Sequence, residues 1–210
     1  MRNILRSGLI ASLLILSLPV ALAQPAAVAR IKTLQADPAA LSAAVEAGRK
    51  ASFFCANCHG DAGSSKLPEV PNLAGQNPEY LLEQMRKFVT GERKDAFMQG
   101  LIKVLKDDER ANIALFYANT PVQAGRGDAG QQKHGKLMYE KLCVRCHGEK
   151  AHGDKLIPRL AGQQTTYLEH TIRRYRDKTG ERLDPLMAIA TSTLKNEDIK
   201  AIAHYLTQLP

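Results

Sequence analysis

Phe54-Cys55-Ala56-Asn57-Cys58-His59-Gly60 and Leu142-Cys143-Val144-Arg145-Cys146-His147-Gly148 are two copies of one pattern, and together they use all four cysteines of the 210-residue chain. The likeness extends outward from them. Pro71-Asn72-Leu73-Ala74-Gly75-Gln76 matches Pro158-Arg159-Leu160-Ala161-Gly162-Gln163, and Leu81, Met85 and Phe88 recur as Leu168, Ile172 and Tyr175. The order is kept throughout, so the chain is a tandem duplication. The i, i+4, i+7 spacing predicts a helix in each half with that stripe turned to a core. A last matched block runs from Met98 and Met187 to Asp107-Asp108-Glu109 and Asn196-Glu197-Asp198. Asp107 and Asn196 are the expected N-caps of a closing helix whose apolar face carries Ile113 with Phe116, or Ile202 with Tyr205. No run alternates as strands do, so the expected fold class is all-α, two tandem helical domains.

Cys-x-x-Cys followed at once by His is the spacing of c-type haem attachment. Two thiols at i and i+3 lie on one side of a helical turn, where they can reach the two vinyl groups on one porphyrin edge. The imidazole of His59 or His147 can then approach the iron from the same face. Two other readings remain open. A zinc site needs four protein ligands, and Cys55, Cys58 and His59 on one turn would crowd a tetrahedral centre. A redox dithiol normally follows a strand in an α/β pattern, which is absent here.

The second axial position decides what such an iron does, since a closed coordination shell transfers electrons while an open side binds oxygen or peroxide. Only Met98 and Met187 occupy matched places, 39 residues after His59 and 40 after His147. Met85 falls in the apolar stripe and Met138 just ahead of the second motif, positions that suit packing; packing is also the competing reading for Met98 and Met187. His134, His152, His170 and His204 do not recur in the other half and are assigned no site. Pro71 and Pro158 follow the motif histidines by about a dozen residues, where a backbone carbonyl could hold the distal ring nitrogen; shaping a loop is the plainer alternative.

Arg2 and Arg6 precede an apolar run from Gly8 to Val20 that ends in Ala21-Leu22-Ala23, the pattern of an export leader cleaved after Ala23. An uncleaved membrane anchor is the other reading of the same run. The expected location is periplasmic. The organisation expected is a signal peptide over 1–23, an N-terminal extension over 24–44, a first domain over 45–121, a linker over 122–133 and a second domain over 134–210. The extension is Ala-rich, with a short helix expected from Pro38 onward. With no Trp, five Phe and six Tyr, each unit of about 80 residues has little with which to fill a core, and a tethered macrocycle would substitute.

After Ala23 the chain carries 27 basic and 21 acidic residues, and 15 basic against 10 acidic of these lie in 122–210. A basic second half could steer toward an acidic docking surface on a redox protein, although solvated helix faces explain it equally well. The basic residues are interleaved with acids and the compartment is wrong for nucleic acid, so no nucleic-acid partner is expected.

Taken together, the paired Cys-x-x-Cys-His-Gly, the paired Pro-x-Leu-Ala-Gly-Gln and the paired Met before a capped helix resemble the di-haem cytochromes c4, from about Gly48 to Leu209. The resemblance implies two tandem cytochrome c-like helical domains related by approximate two-fold symmetry, with two haem c groups as cofactors. It implies thioethers at Cys55, Cys58, Cys143 and Cys146, His59 and Met98 on the first iron, and His147 and Met187 on the second. It further implies single-electron transfer between a quinol-oxidising complex and a terminal oxidase or another periplasmic acceptor, with peripheral membrane association possible through a membrane-bound redox complex, and hence an electron carrier rather than an enzyme. The competing functions are a peroxidase-like di-haem enzyme, which needs a vacant distal site, and a fixed cytochrome subunit of a dehydrogenase complex.

Overall fold

The structure, a computed structural model, describes residues 23–180 and 182–210. Apart from Ala23, the expected leader lies outside the described residues. The protein is all-α, and among the described residues the only β pairings are two isolated bridges, Arg93 with Arg182 and Asp154 with Ile157.

In the first half, α1 (Ala23–Ala36) and α2 (Pro38–Ala51) are followed by α3 (Phe53–His59), α4 (Pro78–Thr90), α5 (Ala96–Lys103) and α6 (Asp107–Ala118). A 3-10 turn, Ala129–Gln131, leads into the second half, with α7 (Gln132–Leu142), α8 (Val144–His147), α9 (Thr165–Asp177), α10 (Pro185–Thr191) and α11 (Asn196–Thr207). The helix expected from Pro38 proves to be a full 14 residues, α2, and runs through position 45. It starts there because Asp37 accepts hydrogen bonds from the Ala39 and Ala40 amides, while Pro38 at the first helical position has no N–H to leave unpaired.

Each half is built the same way. The helix leading into its motif packs on its last, α2 on α6 and α7 on α11, and α4 or α9 packs on that closing helix. The two sequence stripes lie where their spacing puts them: Leu81, Met85 and Phe88 of α4 and Leu168, Ile172 and Tyr175 of α9 are all buried. The closing helices begin one residue earlier than Asp107 and Asn196 suggested. Lys106 and Lys195 are the N-caps, because the Glu109 and Asp198 carboxylates reach back to accept from their backbone amides at 2.8 and 2.9 Å.

Helix α1 has no counterpart in the second half. It packs on α2, α4 and α6, fully burying Ile31 and adding Val28 and Leu34 to the first core, and Arg30 pairs with Asp108 at 3.0 Å.

The halves meet through their repeated Pro-x-Leu-Ala-Gly-Gln loops. Val122, just after α6 and its following turn, wedges between them: a Cβ on Gly162 would come within 2.5 Å of Val122 Cγ1, and one on Gly75 would overlap Val122 Cγ2. The connecting chain then lies along α11, with the Gly125 amide donating to the Thr207 carbonyl and the Asp128 amide to His204 Nδ1.

Candidate functional site

The two motifs sit on short helices that end at their histidines, α3 at His59 and α8 at His147. Both imidazoles are buried, at 7% and 5% exposure. In each half the chain leaving the histidine doubles back. The Leu73 and Ala74 amides both donate to the Gly63 carbonyl, and Leu160 and Ala161 do the same to Ala151. This fold-back carries the proline over the imidazole: His59 Nδ1 donates to the Pro71 carbonyl at 2.8 Å and His147 Nδ1 to the Pro158 carbonyl at 3.0 Å.

A carbonyl oxygen only accepts, so each Nδ1 carries the ring proton and each Nε2 keeps its lone pair. Burial lowers the pKa of both rings. The proline carbonyls pull the other way, Arg93 adds to the lowering at His59, and Asp184 opposes it at His147. The neutral imidazole that a metal requires is the favoured form.

Within each pair the two cysteines stand one helical turn apart. Burial raises the Cys55 thiol, and burial with Cys146 beside it pushes Cys143 up to about 11. A reactive dithiol needs the opposite, a thiol depressed toward neutrality. Nor does any group of three or more His, Cys, Asp or Glu side chains come together as a metal site among the described residues, so the ligand set of a zinc centre is not assembled.

Met98 and Met187 sit in the first turns of α5 and α10, both half-buried. Their backbones are held alike: the Asp95 carboxylate accepts from the Met98 amide at 2.9 Å and Asp184 from the Met187 amide at 3.0 Å. Met98 packs against the first core. Met85 is buried in that core and Met138 packs on the second. The unmatched histidines go elsewhere: His134 to Asp198 at 2.7 Å, His152 to the Pro210 carbonyl, and His204 to the connecting chain.

Three matched pairs inside or beside the repeated blocks carry contacts to which the sequence gives no role. Asp95 and Asp184 cap the methionine helices. Gln76 and Gln163, the last residues of the repeated hexapeptide, cross between the halves. Arg93 and Arg182 each stand five residues before a methionine and enclose the phenol of Tyr167, which accepts from Arg182 at 2.9 Å and from Arg93 at 3.5 Å. Arg182 also donates to the Tyr80 hydroxyl and lies over the Tyr80 and Tyr175 rings. Burial would raise the Tyr167 phenol, but Arg182 and Arg93 outweigh it and hold it at about 8. Two cations thus share a half-buried, phenol-lined junction between the halves.

Residues 132–210 match the cytochrome c family model. A cytochrome c4 of Pseudomonas aeruginosa is 31% identical over 175 residues, covering 78% of this chain and 87% of its own. A thiosulfate dehydrogenase electron acceptor of Thiomonas intermedia is 33% identical over 172 residues, covering 74% and 78%. The crystal structure of reduced recombinant cytochrome c4 from Pseudomonas stutzeri superimposes with a TM-score of 0.73 at 28% identity, covering 79% of this chain and 98% of that one.

Proposed function

The chain belongs to the di-haem cytochrome c4 family, electron carriers with two covalently bound haem c groups, and from that membership we propose how its own residues hold the two irons. Cys55 and Cys58 would form the thioethers to the first haem, and His59 and Met98 would hold its iron; Cys143, Cys146, His147 and Met187 would do the same for the second. The observation that carries this reading is the Nδ1–H bond of each motif histidine to its proline carbonyl, which leaves Nε2 as the donor to iron. The matched aspartate caps on the methionine backbones support the second ligand. Arg93 and Arg182 supply positive charge of the kind that propionate carboxylates require.

When bound, each haem supplies a one-electron ferric–ferrous couple. The residues of this chain do the rest. An imidazole and a thioether together would close each iron to small molecules, and the soft methionine sulfur would favour the ferrous state and raise the potential.

The protein carries single electrons between redox protein partners in the periplasm, from a quinol-oxidising complex to a terminal oxidase or another acceptor, and meets the membrane peripherally through a membrane-bound redox complex. The Arg2, Arg6 and Ala21-Leu22-Ala23 leader pattern supports the location, and among the described residues no helix is long and apolar enough to cross a membrane. The likeness to a thiosulfate dehydrogenase electron acceptor favours a second reading of the partner, a dehydrogenase that reduces this protein directly.

Carbon monoxide and the reduced holoprotein test the ligand set. Both haems should resist it; rapid stoichiometric binding would mark an open iron and restore the peroxidase-like alternative.

A further inference from the structure

Each half holds the backbone behind the other half's histidine. Gln163 Oε1 accepts from the Asn72 amide at 2.7 Å while Gln163 Nε2 donates to the Asn72 carbonyl at 2.9 Å. The mirror bonds join Gln76 to Arg159: Oε1 accepts from the Arg159 amide at 2.8 Å, and Nε2 donates to the Arg159 carbonyl at 2.9 Å. Both glutamines are buried, at 5% and 6% exposure. Each side chain therefore grips the amide and carbonyl of one residue across the junction, while its Oε1 also accepts from the next amide of its own chain, Asn77 for Gln76 and Gln164 for Gln163.

The residue gripped is the one after the histidine-binding proline. The N–H of Asn72 and the C=O of Pro71 belong to a single peptide group, and so do the N–H of Arg159 and the C=O of Pro158. One planar amide thus accepts from His59 Nδ1 on its oxygen side and donates to Gln163 on its nitrogen side. Hydrogen bonding at one end of an amide draws charge toward the other, so the two bonds strengthen each other. A stronger Nδ1–H bond makes the imidazole a better donor to iron, which favours the ferric state.

We propose that Gln163 and Gln76 are positioning residues acting in trans, Gln163 on the proximal ligand of the first haem and Gln76 on that of the second. The assignment rests on the ligation by His59 and His147 proposed above. Each haem's potential then depends on the seating of the opposite half, and the duplication has turned a repeated glutamine into a reciprocal connection between the two redox sites. The connection is specific in its wiring: a glutamine acts on the haem of the half to which it does not belong.

The test uses the full di-haem protein with Gln163→Leu and Gln76→Leu, reading both reduction potentials, each haem assigned by NMR contacts to residues of its own half. Gln163→Leu should raise the potential of the first haem and leave the second unmoved, and Gln76→Leu should do the reverse. A shift at the variant's own haem, equal shifts at both, or none would overturn the proposal. Gln163→Glu covers the case in which leucine separates the halves, since it keeps size and acceptor. In the reduced, diamagnetic protein the His59 Nδ1 proton should move downfield with glutamate and upfield with leucine, with the His147 proton fixed; movement of both protons alike, or of neither, overturns it. His59→Gly separates this from the underlying ligand reading. An unchanged first haem there would sink both, whereas a lost or altered one, with no trans shift in the glutamine variants, sinks the relay alone.

Discussion

Gly48 of α2 lies directly against the carbonyl of Asn112 in α6. A Cβ on Gly48 would overlap that carbonyl and come within 2.9 Å of Phe116 Cβ. The second half repeats the crossing, where a Cβ on Gly135 would overlap the Ala201 carbonyl and lie 2.7 Å from Tyr205 Cβ. Backbone cannot yield as a side-chain tip can. Gly48→Ala and Gly135→Ala should each force the helix pair apart and cost about 1–3 kcal/mol of stability, read by denaturant unfolding of the holoprotein.

Ile31 tests the element that the second half lacks. It is fully buried between α1 and the first core. Ile31→Ala should cost about 2–4 kcal/mol, and hydrogen exchange should show the loss of protection in α2, α4 and α6 and not in α7, α9 or α11.

The helices α4 and α9 end in left-handed residues at matched positions, Gly91 with φ 81° and Lys178 with φ 53°. A Cβ makes that conformation costly, and Lys178 is exposed, so nothing is lost with its side chain. Lys178→Gly should stabilise the protein by about 1 kcal/mol, seen as a rise in Tm.

Asp198 ties α11 to α7, accepting from the Lys195 amide and meeting His134 at 2.7 Å. Burial raises its carboxyl, but the Lys195 amide and His134 outweigh this and hold the pKa below the usual carboxylate range. A lowered folded pKa means that the unfolded chain takes up the proton first as pH falls. The stabilisation is therefore present above the ordinary carboxylate range and lost as pH drops through the folded value. Asp198→Asn should lose about 1 kcal/mol at neutral pH and flatten the acid limb of the stability curve; an unchanged acid limb would refute the role.

Met98→Ala and Met187→Ala should each open one haem to carbon monoxide and lower that haem's potential by removing a ligand that favours ferrous iron. Spectra and potentials identical to wild type would show that the altered methionine is not a ligand.

The sequence by itself determined what is encoded within a few residues. The duplication, the helical class and the buried stripes at Leu81-Met85-Phe88 and Leu168-Ile172-Tyr175 were legible because helix periodicity places i, i+4 and i+7 on one face whatever the rest of the chain does. The cysteine and histidine spacing belongs to the same kind of information, as does the proline that could stand behind each histidine.

Only the tertiary structure decided which distant groups meet. Gln76 and Gln163 are polar residues at the end of a loop, and nothing local distinguishes a surface glutamine from one that grips a backbone 83 or 91 positions away. Val122 looked like the start of a linker and became the wedge between the repeats, while Ile31 looked like part of an Ala-rich extension and became core. The helix starts at Lys106 and Lys195 shifted by one residue because Glu109 and Asp198 reach backward. The reason is the same each time: these contacts depend on the docking of surfaces that are close in space and far apart along the chain, and a hydrogen-bond partner has no period by which to announce itself.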